Sequence, residues 1–134
     1  MVAANEPDEK PLPWAEEVAA TIRIGLARAA TDPAAARQLT LPASGRRGGD
    51  ADAYGAMVDE LSARLLRGAP PLPDPQRTAR NVVVRVARQT LLQLETRPEE
   101  PVTAITPDLI VFALTPYVGL AEARRLAAQP IETS

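Results

Sequence analysis

Between Asp108 and Glu122 the chain runs through thirteen uncharged residues, Leu109 to Ala121. A solvent-facing helix carries one apolar stripe, whereas this run is apolar almost all round and needs cover on most sides. It is too short for a bilayer, which takes about 20 apolar residues in succession, so it reads as a buried helix. In a chain of 134 residues one side can be covered internally and the other calls for a second layer. The expected cover is another copy of the same chain.

Composition narrows what such a chain can do. Lys and Arg number 15 against 17 Asp and Glu, a formal net charge of −2, so no global positive field draws it to nucleic acid or anionic lipid. DNA binding by this chain alone is not expected. There is no Cys and no His, which removes disulfides, thiolate nucleophiles, thiolate or imidazole zinc sites and the imidazole base of hydrolytic triads. The expectation is a non-enzyme with neither metal nor cofactor. Aromatic residues are only Trp14, Tyr54, Phe112 and Tyr117, too few for base-stacking platforms. Met1 to Pro13 lack the basic start and apolar run of a secretory signal, so a cytoplasmic protein is expected, off the membrane.

Proline punctuates the chain. Pro33, Pro75 and Pro107 each follow Asp32, Asp74 or Thr106, and an Asp or Thr N-cap followed by Pro is a helix start. Five helices are predicted. The first spans Pro13 to Ala30 with Trp14, Val18, Ile22, Leu26 and Ala29 on one face. A short second spans Pro33 to about Leu41, stopped by Pro42, and Ser44 to Gly49 follow as a mobile loop. The third, Asp50 to Arg67, shows Tyr54, Met57, Val58, Leu61 and Leu65, with Gly68 in the C-terminal cap position.

The fourth runs from Pro75 to about Glu95, and the fifth from Pro107 to about Ala128, with a kink at Pro116 where an interior proline crowds the Phe112 carbonyl. Residues 1–12 read as a disordered Pro-rich leader, 13–128 as one helical domain and 129–134 as a disordered tail. Val82 to Val86 and Leu109 to Phe112 also satisfy a buried strand. Length and caps favour helix.

The placed pattern resembles the C-terminal effector-binding and dimerisation domain of TetR-type transcriptional regulators, over about Trp14 to Ala127. Its carriers are Trp14 opening a long helix, Ala30-Thr31-Asp32-Pro33 before a short Ala-rich helix, and Tyr54 beginning the third helix. The most specific is the string from Pro107-Asp108-Leu109 through Phe112-Ala113-Leu114-Thr115-Pro116-Tyr117-Val118-Gly119-Leu120-Ala121-Glu122-Ala123. The resemblance implies an all-α fold of about five helices, with the last two long helices pairing with their symmetry mates in a dimeric four-helix bundle. It implies a homodimer interface at Val83, Ala87, Thr90, Val111, Leu114, Val118 and Gly119, where Gly119, Ala113 and Ala121 let backbones approach. Only a short leader precedes Trp14, so the family's helix-turn-helix and connecting helix are expected to be absent.

Trp14, Ile22, Leu26, Tyr54, Met57, Leu61 and Phe112 are the candidate lining of an apolar ligand cavity for a small hydrophobic effector, with Tyr54 or Thr90 fixing a polar group. The same stripes equally describe an ordinary core, and a purely structural dimerisation or protein-interaction module is the alternative. Gly45 to Gly49 lack the Gly-Lys-Ser/Thr ending of a phosphate loop. Asp59 and Glu60 diverge by about 100° on a helix, and Asp50, Asp52 and Asp59 lack the spacing of a calcium loop. These charges read as capping and solubilising groups, and Arg77, Arg80, Arg85 and Arg88 as a solvated face.

Overall fold

Ala-rich and Leu-rich segments between prolines set the element boundaries. The computed structural model describes residues 13–40, 49–97 and 99–128. The leader, the tail and Gly45 to Gly48 of the glycine-rich loop lie outside the described residues. Among the described residues six α-helices follow in order: α1 (Trp14–Thr31), α2 (Pro33–Thr40), α3 (Gly49–Leu66), α4 (Pro75–Thr96), α5 (Thr106–Val118) and α6 (Leu120–Ala128). A 3-10 turn, Val102–Ile105, precedes α5. The described residues contain no strand, so Val82 to Val86 and Leu109 to Phe112 are helical.

Three sequence expectations need correction. The fifth helix is not continuous: it breaks at Gly119, whose φ of 88° and ψ of 160° leave helical space. Pro116 is accommodated inside α5, two residues before the helix ends, so its missing N–H removes little of the ladder. The break falls where the residue without a Cβ permits it. Of the three N-caps, Asp32 Oδ1 accepts the Ala35 N–H at 3.2 Å, but Asp74 makes no such bond and pairs with Arg77 at 3.9 Å. Thr106 is the first residue inside α5, behind Ile105 at the cap. The 3-10 turn itself had no signal in the sequence.

The helices form two layers. In one, α5 and α6 fold back on each other and pack across α1, burying Ala19, Ile110, Leu114, Ala123 and Leu126. In the other, α3 and α4 pair as an antiparallel hairpin around Val58, Leu65, Ala79, Val82 and Val83, reached by Ala113 of α5. Leu26 and Ala29 of α1 close a third patch with Val102 and Leu109. The short α2 touches α1, α3 and α4 and bridges the layers at one end.

The uncharged run is thus largely covered by its own chain. Leu109, Ile110, Ala113 and Leu114 are buried, Val111, Phe112, Tyr117 and Val118 are half-buried, and Gly119, Leu120 and Ala121 are exposed. No helix among the described residues is long and apolar enough to cross a membrane.

Candidate functional site

The two layers do not close on each other everywhere. Neither α3 nor α4 packs its backbone closely along α1, and the space between them is a cavity of about 700 Å³ with apolar walls. Its existence follows from residue size. Gly25 and Ala29 on α1, Ala35 and Ala36 on α2, and Ala87 on α4 all face it, where larger side chains would have filled the gap. A Cβ added at Gly25 would meet nothing within 4 Å. Val18, Ile22, Leu26, Leu39, Met57, Leu61, Val82 and Val86 supply most of the remaining apolar wall.

Of the seven residues expected to line a cavity, Trp14, Ile22, Leu26, Met57 and Leu61 do so, and Thr90 joins them. Tyr54 and Phe112 do not. Both pack against the α3–α4 core instead, and Phe112 holds the Arg85 guanidinium 5.2 Å from its ring centroid. The helical stripe predicted them correctly as apolar-facing but could not say which neighbour they face. Gly25, Ala29, Ala36 and Ala87 were missed. Their only signal is a recurrence of small residues, which close helix packing produces equally well.

The polar groups of the wall are already engaged. Thr21, Thr31, Thr40 and Thr90 each donate their hydroxyl to a carbonyl of their own helix, at 2.8 to 2.9 Å. Trp14 Nε1 donates to the Leu65 carbonyl at 3.0 Å. At the rim stand Glu17, Asp32 and the arginines 28, 64 and 67.

The residues expected at a dimer interface divide. Val83, Ala87, Thr90 and Leu114 are all buried inside the single chain, Leu114 completely, and the first three lie on the cavity wall. In the single chain α4 and α5 turn the faces that carry these four inward. Val111 and Val118 are half-buried and Gly119 is exposed.

Several of the charged candidates pair at the surface. Asp59 accepts from Arg80 at 3.0 Å, Arg77 pairs with Asp74 and Glu95 with Arg37 at 3.7 Å. Among the described residues no three acidic groups gather where they could hold a metal ion. Burial raises the titration of Tyr117, and the mutual hydrogen bond of the exposed pair Glu122 and Arg125 lowers the first and raises the second. No protein-family model, curated protein or solved structure matches the chain.

Proposed function

We propose that this chain is a ligand-sensing and homodimerising helical domain of the TetR type, engaged in transcription regulation and not in catalysis. The observation that carries the reading is the cavity: about 700 Å³ falls inside the roughly 300–1,000 Å³ of small-molecule sites. A wall of aliphatic side chains with its hydroxyls turned back on their own helices suits binding and offers no group to drive a reaction. A closed structural module would have no use for such a space. Its apolar wall also reaches the partner-facing half of the domain, since Trp14 lines the cavity and packs edge-on against Tyr117 of α5.

Dimerisation draws support from what the single chain leaves uncovered. Val111 and Val118 remain half-exposed, and Leu92 and Leu120 are 42% and 45% exposed. The test of sensing is a thermal-shift screen of the whole chain against small hydrophobic compounds. A compound present at 100 times its Kd stabilises the fold by about 2.7 kcal/mol. A panel in which every compound leaves the melting temperature unmoved refutes the reading.

A further inference from the structure

We infer that the cavity takes an amphipathic organic anion: an aliphatic body with a single carboxylate or similar acidic head, the head held at the end of α3 by Arg64 and Arg67. The inference rests on the cavity being a binding site and adds the chemistry of what enters it.

Free hydrogen-bond donors are scarce along the wall. Every threonine hydroxyl of the wall already donates within its own helix, the Trp14 indole N–H is bonded to Leu65, and helical backbone N–H groups past the first turn are engaged by the ladder. Away from the helix starts a neutral polar ligand that needs a donor would find none along the wall, and burying its acceptor unpaired is unfavourable. The donors left over are the guanidinium groups at the rim. Neither the Arg64 nor the Arg67 side chain has a hydrogen-bond or ion-pair partner among the described residues, and both residues line the cavity. Arg64 lies in the last turn of α3 and Arg67 is the first residue past it, its N–H still bonded to the Ala63 carbonyl at 3.2 Å, so the two stand about one turn apart.

Charge at this end favours an anion. The C-terminus of α3 presents roughly half a negative charge, and the N-terminus of α1, held beside it by Trp14, roughly half a positive one. The two helix ends offset each other. Arg64 and Arg67 then face one carboxylate, Glu17. At the opposite end the Asp32 carboxylate caps α2 through Ala35, and Arg28 stands on the same rim. A cationic head meets three guanidinium groups along the opening, whereas an acidic head gains a charge-assisted pair.

The experiment uses three matched probes with a twelve-carbon tail, each below its micelle-forming concentration: dodecanoate, dodecanol and dodecyltrimethylammonium. Trp14 is the only tryptophan and sits in the wall, so its fluorescence reports occupancy. Dodecanoate is expected to bind saturably and at least about tenfold tighter than dodecanol, with affinity rising up to about fourfold for each added methylene. The double variant Arg64→Gln with Arg67→Gln should erase the difference between acid and alcohol and leave the alcohol's affinity in place. The Lys pair should restore most of the difference. Both positions are exposed, and circular dichroism verifies that the variants are folded.

If acid, alcohol and ammonium bind alike, or the ammonium binds best, the anion assignment is overturned while the cavity stands. If the acid keeps its advantage in the Gln pair, the assigned arginines are wrong. If no probe binds at all, the reading of the cavity as a site falls with it.

Discussion

The indole Nε1 of Trp14 donates a 3.0 Å hydrogen bond to the carbonyl of Leu65, 51 residues further along the chain. That carbonyl is among the last four of α3, which have no partner inside their own helix. A side chain from α1 therefore caps α3. The same ring meets Tyr117 of α5 edge-on, centroids 4.9 Å apart at 62°. Gly68 lies against it: its φ of +86° favours glycine, while a Cβ there would meet Trp14 Cδ1 at 3.4 Å, an ordinary contact. One residue thus joins the two layers at the rim of the cavity.

Replacing Trp14 by Phe keeps most of the ring and deletes the donor. The loss expected is about 1–3 kcal/mol, since it leaves the Leu65 carbonyl to find another partner. Urea unfolding followed by circular dichroism measures it. Equal midpoints for the two proteins would show that the cap contributes nothing.

Gly119→Ala tests the hinge between α5 and α6. At φ 88° and ψ 160° the backbone occupies a region essentially reserved for glycine. Nothing lies within 4 Å of the added Cβ, so the expected loss of about 1–3 kcal/mol comes from the backbone alone. Pro116→Ala should leave the break at Gly119, with the amide hydrogen exchange of α6 unaltered.

Tyr117 sets an alkaline limit on stability. Burial holds its phenol above the ordinary value of 10.0, and its hydroxyl has no hydrogen-bond partner among the described residues. The unfolded chain gives up that proton more readily than the folded one. The stability linked to it is intact below about pH 10 and falls as pH rises from there through the folded value. Tyr117→Phe removes an unpaired polar atom and should be neutral or stabilising by up to about 1 kcal/mol. In urea titrations from about pH 8 to about pH 11 the variant should lose less stability than the parent, and parallel curves would contradict the account.

Gly25 lies mid-helix on the cavity wall with open space before it. Gly25→Ala should stabilise the fold by about 0.5–1 kcal/mol through helix propensity. Gly25→Phe should place a ring in the cavity and weaken any occupant without unfolding α1. Thermal melts with and without a bound probe separate the two effects.

The proposed homodimer contact is tested at the residues left open. Val111→Asp with Leu120→Asp should reduce a dimer to single chains of 14.3 kDa by light scattering, with helicity kept. Leu114→Ala, wholly buried, should instead cost about 2–5 kcal/mol of fold stability. A parent chain already at the monomer mass would count against homodimerisation.

Helices were legible because their signals are local. Apolar recurrence at helical spacing marked Trp14, Val18, Ile22, Leu26 and Ala29 as one face, and that face is the one turned to core and cavity. Proline and glycine marked the ends to within a residue or two, and the absence of His and Cys limited the chemistry at once. Such features depend on a few neighbouring residues and on backbone geometry common to all proteins.

What the local signals could not rank, long-range packing decided. Pro116 and Gly119 both weaken a helix, and only the turn of α6 back onto α5 and α1 chose the glycine as the break. Tyr54 and Met57 stand three apart on α3, yet Met57 faces the cavity and Tyr54 does not. A stripe of apolar residues specifies that a face is dry. Whether it is dry against another helix or against an empty space depends on how closely the layers approach, which is set by small residues such as Gly25, Ala36 and Ala87 distributed over three helices.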